Sequence, residues 1–181
     1  AFLGGLSFFV LASAYQRREG VLVETVTVEH YHDVGKLMFA FVIFWAYMAF
    51  SQYFLIWYAN IPEETVWFLE RWEGGWKAMS LVIVFGHFAL PFVALVFRAS
   101  KRNVAVLATV SLWLLVMHWV DLYWGVFPNF SHHGPHFSWM DLTTMAGVGG
   151  VFVWYYLRRQ GSRPLVPVGD PGLARSMQLT N

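Results

Sequence analysis

A few polar residues lie where the sequence is otherwise apolar, and their types and spacing suit the movement of protons. His87 sits in GHFALPF (residues 86–92), inside an apolar run from Ala78 to Phe97, and Pro91 follows it by four positions. A proline removes its own amide donor and presses its ring against the carbonyl of residue i−4, which here is His87 itself. One position thus carries an ionisable ring and a backbone acceptor released from the helix ladder. His118 and Asp121 are three apart and share one face of a helix, with Ser111 two turns before His118. Tyr47, Ser51 and Tyr58 recur at intervals of four and seven, with Gln52 beside them, and Asp141 precedes Thr143 and Thr144. Ionisable groups at bilayer depth are rare and usually face a bundle interior or a wet cavity. Histidine and aspartate exchange protons through bridging waters. His87, His118, Asp121 and Asp141 are therefore candidates for a proton path, with Tyr47, Ser51 and Gln52 as relays.

Each candidate has a plainer reading. His87 can hydrogen-bond a neighbouring helix while Pro91 supplies a kink. His118 and Asp121 can satisfy one another near the interface. Asp141 can be a helix N-terminal charge favoured by the dipole, and the Tyr47 stripe can be packing. His132, His133 and His136 in SHHGPH resemble metal ligands, but no carboxylate or cysteine beside them completes a set. They read as a solvated loop or a partner contact, and no metal is assigned to the chain.

The elements that must position these groups follow from composition. The chain is 57% apolar and only 13% charged, where soluble domains carry about a quarter charged residues. Its apolar residues come in blocks near the length that spans roughly 30 Å of hydrocarbon. The sequence therefore predicts an all-α, polytopic transmembrane bundle of five spans: Ala1–Tyr15, Lys36–Tyr58, Trp76–Phe97, Val104–Tyr123 and Trp139–Leu157. The first is short and reads as a span truncated at its upstream end, so the chain is expected to be a fragment or a processed product. Residues 16–157 are expected to form a four-span bundle and residues 158–181 an extended tail, in which RPLVPVGDPG is too rich in proline and glycine for a helix and runs over a neighbouring surface or is disordered. At about 1.5 Å of rise per residue, His87 lies about 14 Å from Ala78, near the midplane. All but Arg71 and Lys77 of the twelve Lys and Arg fall in the segments after the first, third and fifth spans. Basic loops stay in the cytoplasm, which puts the tail inside and the PNFSHHGPHFSW loop outside. Four helices then offer polar groups between the outer surface and the centre. The inner half offers Thr109, Tyr155 and Tyr156 and no carboxylate. A net charge of +1 gives no nucleic-acid footprint, and with no cysteine there are no disulfides or thiolate sites.

Two connections have a character of their own. IPEETVWFLERWEGGW begins with Pro62 at a first-turn position and acids beside it, and predicts a short amphipathic helix at the outer interface. VLVETVTVEH alternates and predicts an extended segment. In the fifth span, MAGVGGVF supplies small residues for close helix packing.

The stretch GKLMFAFVIFWAYMAFSQYFLIWYANIPEETVWFLERWEGGW closely resembles the ActF-type membrane subunit of bacterial alternative complex III, a quinol:cytochrome c oxidoreductase. GHFALPF and FSWMDLTTMAGVGG follow in the same order, so the resemblance covers most of residues 35–157. ActF-type subunits are similar to the NrfD and PsrC quinone-reactive proteins, which are built from two four-helix bundles. The resemblance implies that this chain matches the C-terminal half of such a fold. It implies a subunit in the bacterial inner membrane without a redox centre of its own. The haem c, iron–sulfur clusters and quinone are expected in partners: an ActC-like sister subunit, a cytochrome c subunit and an iron–sulfur subunit. Its expected role is to scaffold that assembly, with proton translocation as the candidate activity. Other readings stay open: a quinol-binding subunit using His87 or His118, a haem b anchor with those two as axial ligands, a secondary transporter, or a purely structural anchor.

Overall fold

The computed structural model describes residues 1–131, 134–162, 164–167 and 169–179, and among them all regular structure is helical. The chain divides into two compact units, Ala1–Pro135 and His136–Gln178.

In the first unit the helices are α1 (Phe2–Arg18), α2 (Val28–Ala59), α3 (Pro62–Glu70), α4 (Gly74–Ile83), α5 (Leu90–Val96), α6 (Arg98–Arg102) and α7 (Val104–Val126). A π-helical turn, Val84–Ala89, joins α4 to α5. Val28–Ala59, Gly74–Val96 and Val104–Asn129 are each long and apolar enough to cross a membrane. The other two expected spans are helical without matching them. α1 has 17 residues, and in α8 of the second unit (Trp139–Gln160) glycine, threonine, tryptophan and tyrosine dilute the aliphatic content.

Helix ends follow local chemistry. Thr27 caps α2 in a reciprocal box with His30, and its backbone N–H donates to His30 Nδ1 at 3.1 Å. The VLVETVTVEH segment is therefore not extended. It turns through residue 26 and then enters α2, with Val26 O held by Arg17 Nη1 at 2.5 Å. The Thr27–His30 cap draws the second half of the segment into the helix ladder, where its backbone groups are satisfied internally. Asn60, with φ of 50°, ends α2 in the left-handed conformation that asparagine tolerates. Pro62 then opens α3 at the position where a missing N–H costs nothing, and Tyr53 packs edge-on against Phe68, ring centroids 5.2 Å apart. Asn103 caps α7, its Oδ1 accepting from the N–H groups of Ala105 and Val106.

The core of this unit joins α1, α2, α5 and α7 through Leu3, Val10, Tyr31, Met38, Val42, Leu95, Leu107 and Leu114. α1 lies along α7 through a stripe of small residues. Ser7 is fully buried and returns its hydroxyl to Leu3 O. A Cβ added at Gly4 would come within 3.3 Å of His118 Cδ2. Ser111 belongs to this core, its hydroxyl 3.8 Å from Met38 Sδ. A second cluster packs Trp76 and Met79 of α4 against Tyr123 of α7.

Between α3 and α4, Arg71 is 1% exposed. Its Nη1 and Nη2 donate to Trp67 O and Gly125 O, both at 2.8 Å, and its guanidinium carbon lies 3.5 Å from the Trp67 ring centroid. Burial pulls its pKa down and Glu70 pulls it back up, which leaves arginine charged.

The second unit contains α8 and α9 (Leu173–Met177). No residue of α8 is buried within the structure, and Gly147, Gly149 and Gly150 have nothing within 4 Å of an added Cβ. In the tail, the described residues of RPLVPVGDPG form no helix, and α9 lies beyond them, where LARSM follows the last proline and glycine and can complete a turn.

Candidate functional site

The site begins with a break in the helical ladder. The residues before Pro91 were expected to kink, with the carbonyl of His87 set loose. Instead the chain widens into the π turn Val84–Ala89, a local form often found at functional sites. The carbonyl taken up by a side chain is that of Gly86, which accepts from Trp113 Nε1 at 2.8 Å. Gly86 is also a close-approach position: a Cβ there would come within 2.9 Å of the Met117 methyl. α7 is thereby drawn against the π turn from two directions.

His87, carried on this turn, is 1% exposed, and neither of its ring nitrogens has a hydrogen-bond partner. A neutral imidazole always presents one donor and one acceptor, and a buried polar group left unmet costs about 1–3 kcal/mol. Trp45 of α2 lies flat against the ring, centroids 4.2 Å apart and planes at 26°. The same indole donates its N–H to Asp121 Oδ2 at 3.2 Å, so one side chain holds both the imidazole plane and the carboxylate. His118, one turn before Asp121 on α7, completes the group. One donor atom from each of His87, His118 and Asp121 lies within 4.8 Å of the others. Both histidines and this aspartate, separated by up to 34 positions in sequence, thus meet at one point.

An apolar groove of about 1330 Å³ runs along α2, α3 and α7 and is lined by Trp45, Ser51, Gln52, Phe88, Asp121 and Trp124 among others. Asp121 therefore faces both the groove and the buried histidine. Ser51 and Gln52 line the same groove, whereas Tyr47 is 63% exposed and does not. Asp141 lies in the second unit, where it is the third residue of α8. Its Oδ2 accepts the Ser138 N–H at 2.8 Å while Ser138 Oγ faces the Asp141 N–H in a reciprocal capping box, and Ser138 Oγ also accepts from Met140 N at 3.3 Å. The helix-terminus role is the one its geometry displays. Thr143 and Thr144 return their hydroxyls to backbone carbonyls of their own helix. His132 and His133 lie outside the described residues.

Trp45, Trp113 and Gly4 were not singled out from the sequence. Trp45 lies 42 positions from His87, so no spacing rule links them; the one local signal is that Trp45 and Gln52 are seven apart and share a face of α2. No protein-family model matches this chain, and no curated protein matches it.

Proposed function

We propose that this chain is an integral membrane subunit of a quinol:electron-acceptor oxidoreductase, of the ActF type. It holds no redox centre of its own, braces the assembly, and takes protons from the outer aqueous side to mid-membrane at His87. Haem c, iron–sulfur clusters and quinone belong in this reading to the cytochrome, iron–sulfur and ActC-like partners, in a bacterial inner membrane.

The observation that carries the proposal is a fully buried imidazole with both nitrogens unmet, beside a histidine and a carboxylate that opens onto a groove. Proton transfer needs such a group: a ring whose hydrogen bonds are not already consumed by the fold. In this scheme Ser51 and Gln52 order water along the groove, Asp121 accepts the proton, and His118 and His87 pass it inward.

The test is His87→Leu in the assembled complex, reconstituted in vesicles and driven by quinol. Proton uptake from the outer side should fall at least tenfold while subunit composition stays intact. A His87→Leu complex that assembles and moves protons normally leaves only the brace. A second reading, a quinol site, is favoured by the groove itself, whose apolar walls carry a few polar groups as small-molecule sites do. Quinone that copurifies with the native complex and is lost in Gln52→Leu would support it over the proton path.

A further inference from the structure

The convergence of His87, His118 and Asp121 has a second chemical meaning. We propose that these three side chains form a site for a divalent transition-metal ion, Zn²⁺ above all.

Two imidazoles and one carboxylate are a donor set for zinc and its first-row neighbours, while calcium and magnesium demand oxygen ligands. Three protein ligands with a fourth position left for water is also the arrangement of an open zinc site. The donor atoms lie within 4.8 Å of one another. Ligands bound tetrahedrally at about 2.0–2.1 Å stand roughly 3.4 Å apart, so small side-chain rotations of about 1 Å close the set. His87 has no competing partner to give up: it is buried and both nitrogens are free of hydrogen bonds. The supporting contacts that tune metal ligands are in place too. Trp45 stacks on the His87 ring and its N–H holds Asp121 Oδ2, fixing a ring plane and a carboxylate at once. Asp121 lines the groove, which gives an ion and its fourth-position water a route in.

Binding occupies the lone pairs on which proton transfer would run, so Zn²⁺ would also block it. This consequence rests on the proton-path reading; the metal site does not.

The experiment uses the native membrane assembly, with His132, His133 and His136 changed to alanine to remove loop ligands. After chelator stripping, Zn²⁺ alone is titrated by equilibrium dialysis with elemental analysis, and Co²⁺ is followed by visible absorption. We expect one equivalent whose affinity falls at least a hundredfold in His118→Ala and in Asp121→Asn. The near-isosteric Asp121→Asn carries the test if His118→Ala fails to assemble. Zinc retention that is equal in parent and Asp121→Asn, or absent from the parent, overturns the site. Zinc binding that leaves proton uptake untouched, with uptake also unchanged by His87→Leu, keeps the site and refutes the proton path. Loss of uptake in His87→Leu without zinc binding does the reverse.

Discussion

Arg71 tests whether geometry or charge holds the α3–α4 corner together. Its guanidinium spans the backbone carbonyls of Trp67 and Gly125, 58 positions apart, stacks on Trp67, and has Trp124 at 5.4 Å. Arg71→Lys keeps the positive charge and its desolvation burden but cannot present two diverging N–H donors or a flat stacking face. It forfeits one hydrogen bond to a charged group, about 1.5–3 kcal/mol, together with stacking of about 0.5–2 kcal/mol. The expected loss is roughly 2–5 kcal/mol. For a chain of this size a change of 1 kcal/mol moves Tm by about 2–4 °C, so the melting temperature in detergent should fall by roughly 4–20 °C. Tryptophan emission should shift as well, because two indoles flank the site. Arg71→Met, which removes both hydrogen bonds and leaves Trp67 O and Gly125 O unmet, should cost at least as much as the lysine variant. A lysine variant with unchanged melting temperature and emission would refute the reasoning and reduce Arg71 to a bulk cation.

Two further outcomes follow from buried contacts elsewhere in the unit. Lys101 is buried with Nζ donating to Leu95 O at 2.7 Å, at the end of α5. Burial, helped by Lys36, lowers its pKa below the ordinary 10.5. The unfolded chain therefore binds this proton more tightly, and stability should rise with pH through the window just below 10.5. Lys101→Met should flatten that rise in pH-dependent melting, and leaving the carbonyls of Leu95 and Val96 unmet should cost about 1–3 kcal/mol at neutral pH. Gly4→Val should wedge α1 from α7 against the His118 ring, destabilising by about 1–3 kcal/mol and lowering proton uptake; Gly5→Val, where an added Cβ meets nothing within 4 Å, should do neither.

Where periodicity was strong, the sequence was a good guide. Blocks of apolar residues marked the three long helices, Pro62 marked the start of α3, and the three-residue spacing of His118 and Asp121 placed them on one face of α7. Helical spacing is a local rule, however, and the site is not local. Trp45 reaches His87 and Asp121 from a different helix, and nothing in its neighbourhood announces that contact. Ser111 shares a face with His118 but turns into the core towards Met38, because two turns of helix carry it to a different neighbour. Tyr47 keeps the spacing of a polar stripe and still faces outward, while Ser51 and Gln52 line the groove. Alternation misled at VLVETVTVEH, where the Thr27–His30 cap outweighed β-branched propensity. Proline signalled a disturbance at Pro91, but not its form.

That form sets the angular register of the whole apolar helix Gly74–Val96. Successive residues of an α-helix are about 100° apart, and a π turn inserts one residue more than the surrounding helix would use for the same advance. Everything after Ala89 is thus offset by roughly that angle from everything before Val84. The offset lets Met79 and Ile83 face inward on one side of the turn and Pro91 and Leu95 on the other, with the imidazole at the hinge between the two faces. Removing a single residue here would return the segment to a continuous α register and swing one inward-facing set outwards, so the segment is built to a length that tolerates no subtraction.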